Sequence, residues 1–80
     1  MKLTFSKKTL KQFIKFDQKL RERLKMILRK FQSGGKVDII KKSGSKDEYR
    51  IRIGDYRIIL AKVQENFIVT EIGKRQNIYK

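Results

Sequence analysis

Three arginines in one short stretch, Arg50, Arg52 and Arg57, are the residues whose type and spacing best fit chemistry. A guanidinium is a planar, permanently charged fork that matches phosphate oxygens, so a cluster of them binds an anion and stabilises negative charge developing on it. The reason to expect a cluster is strand pairing. Gly54-Asp55 reads as a two-residue hairpin turn, and such a turn fixes register. Ile53 then faces Tyr56, Arg52 faces Arg57, Ile51 faces Ile58, Arg50 faces Ile59 and Tyr49 faces Leu60. Side chains alternate across a strand, so Tyr49, Ile51, Ile53, Tyr56, Ile58 and Leu60 cover one side and the three arginines share the other.

Like charges directly opposed across strands cost roughly 0.2 to 1 kcal/mol per pair, and no acidic residue sits on that face of this hairpin. A lone arginine there reads as protection of an exposed sheet against aggregation. Three of them read better as an anion site. A third strand, returning antiparallel after Gln64-Glu65-Asn66, brings Lys74 and Arg75 beside Arg57 and carries Tyr79 to the rim, followed by Lys80. An aromatic ring in that place can stack on a nucleobase, worth roughly 1 to 3 kcal/mol per base.

The elements that must position these residues follow from periodicity. Leu3 and Phe5 alternate with Lys2 and Thr4, a short strand from Met1 to Phe5. From Lys7, apolar residues at Leu10, Phe13 and Ile14 have helical spacing, with Ser6 as N-cap. Asp17 marks a break and a second N-cap. Leu20, Leu24, Ile27, Leu28 and Phe31 then form a sustained stripe that Gly34-Gly35 stops. Residues Gln32 to Asp47 read as a surface loop pinned to the core by Val37, Ile39 and Ile40. Tyr49–Ile53, Tyr56–Val63 and Phe67–Ile72 read as a meander of antiparallel strands, rich in β-branched and aromatic residues. The expected fold class is α+β: an N-terminal strand and a helical hairpin packed on a small twisted antiparallel sheet, one domain over residues 1–80.

Composition narrows the chemistry. The chain has 80 residues, with 22 Lys and Arg against 8 Asp and Glu, a formal charge of +14. Self-repulsion of that size is relieved by a polyanion or an acidic partner. Without Cys or His, thiol nucleophiles, disulfides, zinc sites, catalytic triads and imidazole acid–base work are excluded. The longest apolar run is Ile58 to Ala61, which leaves no membrane span, and the basic start lacks the apolar region of a signal peptide, so the cytoplasm is the expected compartment. Residues 1–32 hold 11 basic and 2 acidic side chains. Asp17 and Glu22 are too few to build alternating-sign pairs along the helices, which favours an anionic partner over a merely solvated face.

The ordered set Tyr49-Arg-Ile-Arg-Ile-Gly-Asp-Tyr-Arg-Ile-Ile, then Ile72-Gly-Lys-Arg and an Ile78-Tyr79 ending, resembles the RelE/ParE superfamily of toxin–antitoxin toxins over nearly the entire chain. The resemblance implies a helical hairpin on an antiparallel sheet and, in the RelE branch, an endoribonuclease that cuts mRNA in the ribosomal A site. It also implies an antitoxin protein as partner, and neither a metal nor a small-molecule cofactor. Carried over, the catalytic positions fall on Arg50, Arg52, Arg57, Arg75 and Tyr79. Lys74 and Lys80, adjacent to these positions in the chain, are the further candidate RNA-binding residues. Some RelE members have lysine, with a general-base role, where this chain has Arg52, and arginine is a poor base. Lys74, Glu48, Asp55 or no strong base at all are the options that remain for removing the 2′-proton. The ParE branch, which poisons DNA gyrase, and a non-catalytic nucleic-acid-binding module are the competing readings.

Overall fold

A computed structural model describes residues 1–42, 44 and 47–74. The elements are β1 (Leu3–Phe5), α1 (Lys7–Ile14), α2 (Gln18–Gln32), β2 (Ile39–Lys41), β3 (Glu48–Ile53), β4 (Tyr56–Val63) and β5 (Asn66–Lys74). The five strands form one sheet in the order β1-β5-β4-β3-β2. All neighbours are antiparallel except β1, which runs parallel to β5. The α+β class is as expected, but the sheet is mixed. After β1 the chain spends both helices before it returns to the sheet, and a long crossover of that kind permits a parallel pairing.

Local hydrogen bonds explain where the helices begin and end. Ser6 Oγ accepts from the Thr9 amide at 3.2 Å, and Asp17 Oδ1 accepts from the Leu20 amide at 2.8 Å. Between the helices, Arg21 Nη1 donates to the carbonyl oxygens of Phe16 at 2.8 Å and Ile14 at 3.2 Å, satisfying acceptors that the end of α1 leaves open. At the end of α2, Gly34 takes φ 84°, its amide donates to Phe31 O at 3.1 Å and the Gly35 amide donates to Lys30 O at 2.8 Å. This reciprocal pair is a Schellman stop, and the left-handed residue it requires is why glycine ends the helix.

Leu24, Leu28 and Phe13 from the helices join Ile51, Ile53, Ile58, Leu60, Val69 and Ile72 from the sheet in one buried cluster. Helix stripe and strand alternation therefore meet on one face. Val69 and Ile72, three residues apart, both reach that face because a bulge opposite Ile59 and Leu60 leaves Thr70 between paired positions. Simple alternation would have sent one of them to the other side. No helix among the described residues is long and apolar enough to cross a membrane.

Two connections differ from the sequence reading. The segment from Gln32 to Asp47, expected as a loop, contains β2, which pairs Ile39 with Ile51, Ile40 with Arg50 and Lys41 with Tyr49. A strand of three residues is too short to show a period. The β4–β5 turn is the two residues Gln64-Glu65, and Asn66 already pairs with Val63. Gln64 stands at φ 58°, a left-handed conformation that costs an L-residue roughly 1 to 2 kcal/mol. Gln64→Gly removes that cost and returns part of it through a more flexible unfolded chain, so urea denaturation is expected to show a gain of about 0.5 to 1 kcal/mol.

Candidate active site

The register of the β3–β4 hairpin is the one the Gly54-Asp55 turn implies: Ile53 opposite Tyr56, Arg52 opposite Arg57, Ile51 opposite Ile58, Arg50 opposite Ile59 and Tyr49 opposite Leu60. Gly54 alone in the turn has positive φ, 55°, the glycine-first arrangement of a type II′ turn whose twist suits paired strands. Arg50, Arg52 and Arg57 accordingly sit on the face of the sheet opposite the helices. Their surroundings are not equivalent.

Arg57 is buried, with 7% of its surface exposed. Its Nη1 donates to Gly54 O at 3.3 Å and Tyr56 O at 3.1 Å, which holds the side chain against the turn. Its Nε is buried without a hydrogen-bond acceptor, and among the described residues no carboxylate lies within ion-pair distance of it. An unfilled donor on a buried charged group costs about 1 to 3 kcal/mol or more, and an entering anion oxygen recovers it. Arg50 is largely buried as well, its Nε 3.7 Å from Glu48 Oε2, and that same oxygen lies 3.5 Å from Lys42 Nζ. Arg52 is exposed and forms a forked pair with Asp38, Nε to Oδ2 and Nη2 to Oδ1 both at 3.1 Å.

The arginine face is thus not free of acid, contrary to the sequence reading. Glu48 extends β3 by one residue and falls two positions before Arg50, on the same side. That spacing was visible in the sequence once the strand is allowed to begin at Glu48. Asp38 arrives from the segment just before β2, and the Arg52 amide also donates to Asp38 O at 2.9 Å. No local pattern pointed to it, because β2 itself was missed. The pair is about half exposed on both partners, so Asp38→Asn is expected to lower stability by less than about 1 kcal/mol in a thermal melt, whatever it does to the anion site. Glu71, paired with Ile59, has its carboxylate 3.8 Å from Lys8 Nζ.

Lys74 requires a correction. The β4–β5 register sets Gly73 opposite Arg57 and Lys74 opposite Tyr56, so Lys74 belongs to the helix side of the sheet and not to the arginine face. One residue of alternation separates the two outcomes. Arg75, Tyr79 and Lys80 lie outside the described residues. What the structure brings together is Arg50, Arg52 and Arg57, joined by Glu48 and Asp38: cations able to hold a phosphodiester, with carboxylates beside them able to take a proton.

Comparison with known proteins bears on the family and the fold. The family model for the ParE toxin of type II toxin–antitoxin systems matches residues 5–79. The chain is 32% identical to Toxin RelE3 of Methanocaldococcus jannaschii, an alignment that covers 99% of this chain and 96% of that protein. Among solved structures it is similar to the RelB–RelE antitoxin–toxin complex from Methanococcus jannaschii, with TM-score 0.80, 30% identity and 95% and 94% of the two chains covered. It is also similar to the isolated E. coli RelE toxin, with TM-score 0.77, 27% identity and 91% and 82% covered.

Proposed function

We propose, from the premise that this chain belongs to the RelE/ParE superfamily of toxins of type II toxin–antitoxin systems, that it acts as a ribosome-dependent mRNA endoribonuclease. The observation that carries this reading is Arg57: a buried guanidinium with an unspent donor, on a sheet face shared with Arg50 and Arg52. A buried cation of that kind is poised for charge that appears only during reaction.

The reaction is attack of a ribose 2′-oxygen on the adjacent phosphorus. The 2′-O–P bond forms, the P–O5′ bond breaks, and the products are a 2′,3′-cyclic phosphate and a free 5′-hydroxyl. Arg57 stabilises the additional negative charge on the non-bridging oxygens, while Arg50 and Arg52 hold the phosphate in place. The resemblance assigns Arg75 to the leaving oxygen, which takes a proton from solvent, and Tyr79 to a base of the message, and Lys80 is a further residue for RNA binding. Arginine is a poor base, so Arg52 is not given that role. Glu48 and Asp38 are the carboxylates beside arginines on this face, and one of them takes the 2′-proton as RNA displaces its arginine. No metal ion is needed, since positioning and charge stabilisation supply the rate.

The partners are the ribosome with its mRNA and a cognate antitoxin, in the cytoplasm. Two relatives with the same fold are seen in complexes with RelB antitoxin, those of M. jannaschii and E. coli. A disordered acidic and apolar segment folding along this +14 chain neutralises its charge as it covers the arginine face. The matching family model carries the ParE name, which favours gyrase poisoning as the second reading. Primer extension on mRNA from cells expressing the chain separates the two. Breaks within codons are expected, whereas intact messages with an induced DNA-damage response support the ParE-type activity.

A further inference from the structure

The end of the sheet that holds Arg57 has a second basic cluster on its other side. Asp17, Lys19, Leu20, Arg23 and Tyr56 line a cleft of about 260 Å³ where α2 meets the β3–β4 turn. Arg23 lies over the turn: a Cβ added to Gly54 would stand 2.9 Å from Arg23 Nη2, so the glycine leaves room for the guanidinium. Lys19 and Arg23 are one helical turn apart, a like-charge spacing that disfavours the helix by a few tenths of a kcal/mol. Lys74 of β5 pairs with Tyr56 and so lies on the same side of the sheet, beyond the cleft lining.

Among the described residues, none of Lys19, Arg23 and Lys74 has a carboxylate within 4.0 Å. Asp17 lines the cleft, but its Oδ1 accepts from the Leu20 amide at 2.8 Å as the cap of α2. Tyr56 is half-buried and its ring is set edge-on against Phe16, with centroids 6.3 Å apart, which gives the cleft a fixed aromatic wall. This contrasts with the arginine face, where Glu48 and Asp38 already answer Arg50 and Arg52.

Tyr56 and Arg57 are consecutive in β4 and therefore face opposite sides of the same strand end. A single RNA strand with one phosphate at Arg57 can pass round the exposed Gly54-Asp55 turn and meet Arg23, Lys19 and Lys74 on the other side. We propose that this cleft is a second RNA-backbone site, binding phosphate next to the cleaved linkage, with the Tyr56 ring against the adjoining sugar or base. The proposal rests on the nuclease reading for the position of the cleaved linkage and goes beyond it in naming where the strand continues. An acidic protein segment is the other polyanion such cations accept. Continuity with the arginine face round the turn favours RNA.

The test compares the unaltered chain, the double variant Lys19→Ala/Arg23→Ala and Arg57→Ala. Both positions of the double variant are exposed on a helix, where alanine is the best helix former, so the fold is retained. Binding of a fluorescent single-stranded RNA is read by anisotropy across a sodium chloride series, alongside ribosome-dependent cleavage. The double variant is expected to bind about tenfold more weakly and to lose about 1.4 from the slope of log affinity against log salt, roughly 0.7 for each phosphate contact removed. Its cleavage at limiting ribosome concentration is expected to fall about tenfold, in step with the loss of binding. An unchanged affinity and slope overturns the cleft, as does a loss confined to antitoxin binding, and in either case cleavage lost only in Arg57→Ala keeps the nuclease reading standing. If the unaltered chain cuts no message, the nuclease reading falls instead, and the RNA-binding comparison alone decides the cleft.

Discussion

Arg57→Ala is expected to lower ribosome-dependent mRNA cleavage by about two to three orders of magnitude while leaving the protein folded. The size follows from what removing one preorganised charge-stabilising donor does in other active sites, a loss of roughly 100- to 1000-fold. The preserved fold follows from the state of the side chain. Arg57 is 7% exposed, its Nε is unfilled, and its two hydrogen bonds go to backbone carbonyls of the neighbouring turn. Alanine loses two bonds and some packing but also removes a poorly satisfied buried cation, so the net change in stability is expected to lie within about 1 kcal/mol. Cleavage assay and urea midpoint on the same preparation check both halves. Full toxicity in this variant means that the site has been placed wrongly. A large loss of stability means that Arg57 is structural.

Leu24→Ala is expected to act in the opposite way, through the fold alone. Leu24 is fully buried in α2 and belongs to the cluster that fastens the helices to Ile51, Ile58, Leu60, Val69 and Ile72. Truncating a leucine in such a place removes transfer free energy and leaves a cavity, together about 2 to 5 kcal/mol. A chain of this length has about 4 to 12 kcal/mol in total, so the variant stands close to its unfolding midpoint at ordinary temperature. Urea denaturation followed by circular dichroism is expected to show a midpoint lowered by that amount, or no folded baseline. A shift below about 1 kcal/mol would show that the helices are not held by this contact.

The features legible in the sequence were those written locally. Ser6 and Asp17 act as caps over three residues, Gly34-Gly35 closes a Schellman stop over five, and Gly54-Asp55 fixes a hairpin in which all five expected pairings are found. Through that register the shared face of Arg50, Arg52 and Arg57 followed as well. What was not legible depends on distant partners. The parallel pairing of β1 with β5 joins residues more than sixty positions apart, and Asp38 reaches Arg52 only because β2 pairs with β3. The bulge at Thr70 breaks simple alternation along β5 and lets Val69 and Ile72 share a face. Lys74 was misplaced for a simpler reason: arriving at the same end of the sheet as Arg57 does not put a residue on the same side, and Gly73 takes the position opposite Arg57.

The misplaced acids change the physical picture more than the misplaced lysine does. Without Glu48 and Asp38 the arginine face would be a patch of mutual repulsion awaiting any anion. With them, Arg52 is held by a carboxylate in the forked geometry a phosphate would use, and Arg50 is close to another. Under the nuclease proposal, RNA entering this face displaces those carboxylates and frees them beside the phosphate, so that binding and supply of the base are coupled.

The most direct measurement adds the purified chain to ribosomes stalled with a defined codon in the A site and analyses the ends of the message. The expected result is cutting within that codon, with a 2′,3′-cyclic phosphate on one fragment and a 5′-hydroxyl on the other, abolished by Arg57→Ala. Intact message, or cutting that persists undiminished in the Arg57 variant, contradicts an RNA phosphodiester site on the arginine face.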